Sequence, residues 1–415
     1  MMDSVKEIFE AAAAKYLTAV DAAPSNTSHQ HEIGGLVKAG MGQILGTGSA
    51  TFTFPTIYAY IPENSEDEES PPIICDGFAT WYDTRRADPN RSAEYRLYYP
   101  GNEVTQLISE SDMAIVAKNK DGSLAMIFTP KGSAAETQLR HLFDLPDLTT
   151  NMKPAGMPEQ SMILPIRMLL EEIGINPFRQ EDVDNDLNML LKLFPKELPK
   201  TDVLSSLARD LTSIDSRDGA DAALVAWLDR EELLFRAYEK HLVSQRLKQG
   251  FGEDGEDVDA FVKFSLSVQN RRKSRAGHAF ENHLTTVFEQ HSLIFEPGKG
   301  KLYTEGKQQP DWMFPSFSAY HDTNFSVDKL TLLGAKTTCK DRWRQVLAEG
   351  DRLGKKYLVT IEAGISERQT DQMREKRLQL IVPQKIHPTY TNQQTSWLYS
   401  ISDFIADVQL KARNQ

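Results

Sequence analysis

The sequence predicts a β-rich N-terminal domain followed by a C-terminal domain of the α/β class. Between residues 51 and 128, short alternating apolar and polar segments separated by turn residues indicate closely spaced strands. Beyond residue 293, expected strands alternate with expected helices, which is the pattern of an α/β core. Seven prolines interrupt residues 145–200 between these regions. We therefore expect two domains joined by a structured hinge.

The composition is that of a soluble globular protein. The chain has 415 residues, which exceeds one ordinary domain, and it is 40% hydrophobic and 26% charged. It contains no run of 18 apolar residues, and its start lacks the layout of a signal peptide. Two cysteines, Cys75 and Cys339, cannot form a disulfide framework or a four-ligand zinc site. We expect a cytoplasmic, prokaryotic location.

Charge is distributed unevenly along the chain. The net charge of -12 argues against a nucleic-acid partner when it is averaged over all residues. Residues 260–345, however, hold 13 Lys and Arg against 8 Asp and Glu, while acidic runs lie at 63–69 and 252–257. Because binding depends on local patches, one basic region within an acidic chain still permits contact with nucleic acid.

The N-terminal region is predicted to begin with a helix over residues 3–20, because apolar side chains from Val5 to Tyr16 recur at helical spacing. Asp121-Gly122 is typical of a hairpin turn. The density of short strands indicates a small β-barrel or sandwich that ends near residue 145. The expected strands are 51–60, 73–75, 95–99, 113–118 and 123–128.

The C-terminal region is predicted to start with helices over 202–213 and 219–247, and a further helix should follow the basic stretch 270–277. The strands expected after it are 293–296, 311–314, 330–336, 357–361 and 377–382. The helices expected among them are 340–353, 366–375 and 400–412.

Asp311 and Lys336 are candidates for metal-dependent phosphate chemistry. Asp311 opens one expected strand and Lys336 ends the next, so both side chains can lie at the edge of one cleft. A carboxylate can hold a metal ion, and a lysine can contact a phosphate or polarise an attacking water. The alternatives are an ordinary turn acid and a strand-end charge facing solvent.

A second acid is needed, and its usual position is vacant. In the common metal-nuclease pattern an acid stands two residues before the lysine, but here that residue is Gly334. Glu349 is 13 residues after Lys336 on the next expected helix. Arg342 and Glu349 are seven residues apart, about 700° around a helix, so they would share a face. The alternative is a solvated helix stripe.

Two groups of charged residues are suited to binding DNA. In Lys340-Asp341-Arg342, arginine can bond guanine and a carboxylate can accept from cytosine, so the segment can read C·G pairs. Asn270–Gly277 carries four positive charges that contact phosphates or remain solvated. Glu281 could add a carboxylate to the metal site. The alternatives are helix N-terminal chemistry for the first group and a routine helix acid for Glu281.

These motifs closely resemble the C-terminal catalytic domain of the EcoRII family of restriction endonucleases, over about residues 219–365. Three blocks carry the resemblance: Asn270–Gly277, Ala319–Thr323 and Lys336–Gln345. Members of that family cut DNA at sites with CC and GG flanks, such as CCWGG. The resemblance implies a Mg2+-dependent type II deoxyribonuclease with a PD-(D/E)xK restriction-endonuclease-like core.

The resemblance also assigns roles to individual residues. Asp311, Lys336 and Glu349 match the catalytic acid, the lysine and a displaced second acid, and Asp311 and Glu349 would be the metal ligands. Glu281 matches an additional acid of the site, and Tyr320 matches a tyrosine implicated in catalysis.

The family's DNA contacts map onto a second set of residues. Lys340, Asp341 and Arg342 match the segment that reads the C·G pairs. Arg272 and Lys273 match basic residues at the DNA surface. Double-stranded DNA is the implied partner, and the catalytic domain is expected to form a homodimer, as two-fold symmetric sites favour.

The N-terminal region resembles the family's effector domain, a pseudobarrel similar to plant B3 DNA-binding domains. His31, Arg91, Glu94 and Arg96 lie where the family has DNA contacts. The domain is expected to bind a second, effector copy of DNA and to inhibit cleavage until it does. The expected domains are 1–145 for the pseudobarrel, 146–200 for the hinge and 201–415 for the nuclease. A non-catalytic or modification-sensing DNA-binding protein is the alternative.

Overall fold

The computed structural model describes most of the chain in two compact units. The described residues are 4–22, 31–63, 71–88, 90–145, 147–159, 162–177, 180–300, 302–339 and 343–413. One unit comprises Met1–Pro177 with Ala363–Ser366, and the other comprises Phe178–Glu362 with Glu367–Gln415. The region expected to be a hinge, 146–200, is divided between the two units and contains helices.

The N-terminal unit is built on one eight-stranded sheet. Its strand order is β2-β5-β4-β3-β7-β6-β1-β8, and every neighbouring pair is antiparallel except β3 and β7. Its elements are α1 (Val5–Ile8), β1 (Phe9–Tyr16), α2 (Ala19–Ala22), β2 (His31–Ile33), α3 (Gly42–Leu45), β3 (Phe52–Tyr60), β4 (Ile73–Asp83), β5 (Tyr95–Tyr99), β6 (Met113–Asn119), β7 (Leu124–Thr129), α4 (Ala134–Leu142), β8 (Lys153–Pro154) and α5 (Leu164–Glu172).

The helix expected over residues 3–20 is wrong. Within the described part of that range only Val5–Ile8 and the first two residues of α2 are helical, and Phe9–Tyr16 form β1, which pairs with β6 and β8. Ala13 and Ala14 are fully buried there. Alanine favours helices locally, but its small side chain also suits a strand buried between neighbours, and sheet pairing outweighs the local preference.

The other strands expected in this unit are confirmed. The β6–β7 hairpin turns at Asp121-Gly122, where Gly122 has φ +94°, a conformation that favours glycine. Strand β4 is longer than expected, running from Ile73 to Asp83. The sheet packs its apolar face over a core that includes Trp81, Tyr99 and Phe128.

The C-terminal unit contains a five-stranded mixed sheet with helices, so the expected α/β class is confirmed. The strand order is β13-β12-β11-β10-β9; β11, β12 and β13 are parallel, and β10 runs antiparallel to both β11 and β9. The elements are α6 (Gln180–Leu193), α7 (Thr201–Thr212), α8 (Ala220–Gln249), α9 (Val258–Gln290), β9 (Glu296–Pro297), β10 (Trp312–Phe314), α10 (Phe317–His321), β11 (Thr331–Lys336), α11 (Trp343–Leu347), β12 (Lys356–Thr360), α12 (Glu367–Glu375), β13 (Leu378–Ile381), α13 (Asn392–Thr395) and α14 (Ile401–Arg413).

Helix α9 departs from expectation because it is 33 residues long and includes the basic stretch 270–277, which was expected to precede it. Arginine, lysine and alanine are good helix formers, so this stretch continues the helix. No helix among the described residues is both long enough and apolar enough to span a bilayer.

An aromatic cluster fixes α9 and α14 against the sheet. The ring of Phe288 on α9 lies 5.5 Å from the rings of Trp312 and Phe314 on β10, and Phe404 of α14 lies 5.5 Å from Phe314. Glu281 is seven residues before Phe288, almost two helical turns, so it occupies the same face of α9. The packing that seats Phe288 on β10 therefore directs Glu281 toward the start of that strand.

Candidate active site

Asp311 and Lys336 meet at one edge of the sheet. Asp311 comes directly before β10 and Lys336 ends β11, and the antiparallel pairing of these strands brings the two positions together. Asp311 Oδ2 accepts a hydrogen bond from the Ala335 backbone N–H at 2.6 Å and one from Lys336 Nζ at 3.3 Å. Both side chains are partly exposed, so they face solvent from the end of the strands.

Glu349 does not lie on the helix expected to carry it. Helix α11 ends at Leu347, and the N–H of Glu349 bonds the carbonyl of Val346 at 3.2 Å in a turn. Gly350 follows with φ +66°, a left-handed conformation that ends the helical path. The expectation that Glu349 lies on this helix is therefore wrong, and Arg342 lies outside the described residues.

The Glu349 carboxyl is buried and incompletely paired. Its residue is only 9% exposed, and its Oε2 atom has no hydrogen-bond partner among the described residues. Burial, reinforced by the nearby negative charge of Asp311, raises the pKa of Glu349 to about 7, although Lys336 and Lys356 oppose that shift. The surroundings of the Glu349 carboxyl are therefore short of positive charge.

Glu281 shares this environment. Burial and then the charge of Asp311 raise the pKa of Glu281, while His278, Lys336 and Lys299 lower it. Asp311 thus acts electrostatically on both Glu281 and Glu349. The structure brings together four of the predicted site residues: Asp311, Lys336, Glu349 and Glu281.

Gly334 cannot be replaced by an acid without moving its neighbours. A Cβ atom added at Gly334 would lie 2.7 Å from Cγ2 of Val346, a fully buried side chain on α11. The close approach of α11 to β11 fills the position where the common metal-nuclease pattern has an acid. Glu349 lies just beyond the C-terminal end of this same short helix, which brings it to the site.

We expect Gly334→Ala to destabilise the fold by about 1–3 kcal/mol, because the added methyl group overpacks against Val346. Urea unfolding of the two single variants and the double variant measures this. In a Val346→Ala background the cost of Gly334→Ala should shrink. Gly354→Ala is the control, since a Cβ there meets no atom within 4 Å. Equal costs in both backgrounds would contradict the packing argument.

Tyr320 is placed behind the site. It is 1% exposed, and its hydroxyl donates to the Glu305 carboxylate at 2.5 Å. Burial, and then this hydrogen bond, raise the pKa of the phenol. Glu305 also accepts the N–H of Asp351 at 3.2 Å. These contacts join Tyr320 to the segment just after Glu349. Sequence reasoning missed Glu305, which lies in a short turn without a periodic pattern.

In the basic stretch on α9, some of the positive side chains are bonded to other groups of the protein and others are exposed to solvent. Arg272 Nε donates to the buried Glu239 at 2.6 Å. Arg275 bonds the carbonyl of Pro199 and lies over the Phe235 ring. Lys273 is exposed. Of the two predicted DNA-surface residues in this stretch, Lys273 therefore presents its charge more openly than Arg272.

Lys340, Asp341 and Arg342 lie outside the described residues. The backbone that leads into them is anchored, because the N–H of Cys339 donates to the carboxylate of Glu362 just after β12. Glu362 had no recognisable motif in the sequence, because its role depends on the parallel pairing of β11 with β12.

In the N-terminal unit, the predicted DNA contacts lie along one edge of the sheet. His31 on β2 stacks near Tyr99 of β5, with ring centres 5.1 Å apart, and burial lowers the pKa of this histidine. Arg96 on β5 and Arg85 both pair with Glu94. The hydrogen bond from Arg96 is the main cause of the lowered pKa of Glu94. Arg91 is exposed in the preceding loop.

The segment that carries the candidate active-site cluster is similar to known proteins. Residues 235–405 match the family model described as EcoRII C terminal. The type II restriction enzyme EcoRII of Escherichia coli is 41% identical over 184 residues, which is 44% of each chain. The matched segment thus spans less than half the length of that enzyme.

Two solved restriction-enzyme complexes resemble part of the structure. Metal-depleted Ecl18kI with uncleaved DNA is 18% identical with a TM-score of 0.44, over 56% of this chain and 85% of that chain. The PspGI–substrate DNA complex is 16% identical with a TM-score of 0.42, over 52% of this chain and 95% of that chain. The similarity of residues 235–405 to the EcoRII C-terminal family rests on the family model and the 41% identity instead.

Proposed function

We propose that this protein is a type II restriction endonuclease that hydrolyses phosphodiester bonds in double-stranded DNA at a short palindromic site with CC and GG flanks, such as CCWGG. One observation carries the proposal. Within the segment that matches the EcoRII C-terminal model, the buried, incompletely paired carboxyl of Glu349 is close enough to Asp311 and Lys336 for their charges to shift its pKa, and Lys336 bonds Asp311.

The carboxylates suit a divalent cation. Glu349 Oε2 lacks a hydrogen-bond partner among the described residues, and the charge of Asp311 adds to the unfavourable burial of that carboxyl. No group of three or more His, Cys, Asp or Glu side chains in the described part of the chain is placed to hold a metal. Two carboxylates with open positions for water and phosphate match Mg2+, which prefers oxygen ligands. We assign Asp311 and Glu349 as its protein ligands.

Each residue then has a distinct task. When bound, Mg2+ would stabilise charge on the phosphate and lower the pKa of a water molecule. The N–H of Ala335 fixes the orientation of the Asp311 carboxylate. Lys336, held by Asp311, presents an ammonium group that contacts the scissile phosphate or orients the attacking water. Glu281, with its raised pKa, can hold a proton near the reacting groups.

DNA recognition is assigned to two surfaces of the catalytic domain. We propose that Lys340, Asp341 and Arg342 read the outer C·G pairs through the major groove. Lys273 and, to a lesser degree, Arg272 contact phosphates. A palindromic site presents two equivalent strands, so two catalytic domains act as a homodimer on it.

The decisive experiment is a plasmid digest followed by sequencing of the cut ends. We expect cleavage at a single short palindrome with Mg2+ and none with EDTA. Parallel substrates with methylated cytosines separate a restriction enzyme from a modification-sensing nuclease, which would prefer the methylated DNA. Specific DNA binding without cleavage at any Mg2+ concentration would instead support a non-catalytic regulator and overturn the proposal.

We further propose that the N-terminal unit is a B3-like effector domain that binds a second DNA copy through His31, Arg91, Glu94 and Arg96. His31 and Arg96 lie on the paired strands β2 and β5, which supports a common surface.

Cleavage of a two-site plasmid should therefore be at least about fivefold faster than cleavage of a one-site plasmid. Arg96→Ala should abolish the difference, because it removes a cation from the effector surface. Lys120→Ala is the control, since this exposed lysine lies in the hairpin between β6 and β7. Equal rates on the two plasmids with the unmodified protein would exclude effector activation.

A further inference from the structure

Helices α8 and α9 form a hairpin whose second helix has an apolar face that the described fold leaves open. Residues 250–257 connect the helices, and the pairing of Arg272 with Glu239 shows that they run antiparallel. The second half of α9 packs into the core. In its first half, Val258, Val262 and Leu266 are 66%, 46% and 53% exposed.

These three side chains form one stripe. They are spaced four residues apart, so each is displaced by about 40° from the previous one around the helix, and together they span about 12 Å along it. Solvent-facing positions of a surface helix normally carry charged or polar residues. A continuous apolar stripe on a protruding helix is instead typical of a helix-pairing surface.

Charge on both sides of the stripe favours a second copy of the same helix as its occupant. The segment before α9 is acidic, with Glu253, Asp254, Glu256 and Asp257, while Arg271 and the exposed Lys273 follow the stripe. Two α9 helices packed antiparallel would place the acidic end of each beside the basic end of the other. A parallel arrangement would place like charges together.

The stripe is also self-complementary in register. A two-fold axis at Val262 sets Val258 of one copy opposite Leu266 of the other and Val262 opposite its own equivalent. The same register brings the exposed Lys273 of one copy to the acidic segment around Glu253 of the other. Each apolar side chain then has an apolar neighbour, as a two-fold interface requires.

The acidic segment is held in place for this contact. The ring of Phe251 lies 5.5 Å from the rings of Phe261 and Phe264, and the Arg246 guanidinium lies 4.0 Å from the centre of the Phe251 ring. Phe251 itself is 6% exposed. The turn that carries Glu253 and its neighbours is therefore packed against the start of α9.

The antiparallel contact between two α9 helices would hold the two catalytic centres too far apart to act on one DNA site. Glu281 lies 19 residues beyond Val262, about 28 Å along α9, so the two-fold axis would separate the two Glu281 positions by about 55 Å. A palindrome of five base pairs spans only about 17 Å. The two catalytic centres joined by this contact must act on separate DNA copies.

We propose that the exposed face of α9, formed by Val258, Val262 and Leu266, is a two-fold contact between two copies of this chain, separate from the dimer that would bind one palindrome, and that it joins two DNA-bound units. The assignment to separate DNA copies rests on the proposed nuclease function, whereas the self-association itself does not.

The first test is the mass of the full-length protein, measured by sedimentation velocity over a range of concentrations. Val262→Glu should weaken self-association at least about tenfold, because it buries a like-charged pair on the two-fold axis. The mass reached at high concentration should fall by half. Leu410→Glu, at a somewhat more exposed apolar position on α14, should leave the mass unchanged. An unchanged mass in Val262→Glu would overturn the proposal.

The second test uses disulfide trapping in a Cys75→Ser background, which leaves only the buried Cys339. Val262→Cys should form a covalent dimer on mild oxidation, because the residue meets its own equivalent. Val258→Cys and Leu266→Cys should crosslink efficiently only when the two variants are mixed. Crosslinking no greater than that of Leu410→Cys would overturn the proposed register.

Self-association through α9 can be tested separately from the proposed nuclease activity. An Asp311→Ala variant should associate as the unmodified protein does, since the contact needs no cleavage. In active protein, Val262→Glu should retain cutting at one site and lose the advantage of a second site. If the chain associates through α9 but cuts no DNA, the interface stands and the nuclease proposal fails.

Discussion

Asp311→Asn is expected to reduce DNA cleavage at least about a thousandfold while sparing specific DNA binding. The substitution keeps the size of the side chain but removes the charge that holds Lys336 and contributes to the metal site. Single-turnover cleavage and a gel-shift titration in Ca2+ measure the two properties separately.

Asp371→Asn is the matched control, because this aspartate is exposed on α12. It should cut at the rate of the unmodified protein. If Asp311→Asn retained more than about a tenth of the cleavage rate, the proposed metal site would be in the wrong place.

Glu349→Gln is expected to change how stability depends on pH. The carboxyl has a pKa of about 7 in the folded state, above its ordinary value, so the folded state binds its proton more tightly than the unfolded state. Stability therefore falls as pH rises from about 4.5 to 7 and then levels, by a total on the order of 3 kcal/mol from this group. Glutamine cannot ionise and should remove most of that fall.

Magnesium should reverse the effect in the unmodified protein. A bound cation favours the ionised carboxyl, so the increase in Tm caused by Mg2+ should grow between pH 5.5 and 7.5. Glu349→Gln should lose this growth along with cleavage. Thermal unfolding in Mg2+ or EDTA at several pH values measures both.

The control is Glu375→Gln, at an exposed position on α12. It should leave both the pH dependence and the Mg2+ response intact. The pKa of Glu281 is also raised, so the stability of Glu349→Gln should still fall as pH rises, but less steeply than that of the unmodified protein. An unchanged pH profile in Glu349→Gln would show that this carboxyl ionises normally.

The N-terminal helix and the α11 helix show where local patterns mislead. Phe9–Tyr16 has good helix formers, yet it becomes a strand because β6 and β8 pair with it on both sides. The sequence across 340–353 favours one continuous helix and gave no sign that the helix would end at Leu347. In both cases distant contacts outweigh the local preference.

By itself, the sequence determined the elements that carry Asp311 and Lys336. Apolar runs bounded by polar residues are local signals, so Asp311 was placed at a strand start and Lys336 at a strand end, as the structure confirms. It also indicated the family that the C-terminal domain resembles, because the motifs around the site are specific.

Only the tertiary structure decided how the site is completed. Val346 fills the space beside Gly334, the turn before Gly350 places Glu349 near Asp311 and Lys336, and the Tyr320–Glu305 pair holds the next segment. It also decided that the apolar stripe on α9 stays exposed. These features depend on which surfaces meet after folding, and spacing along the chain does not encode that information locally.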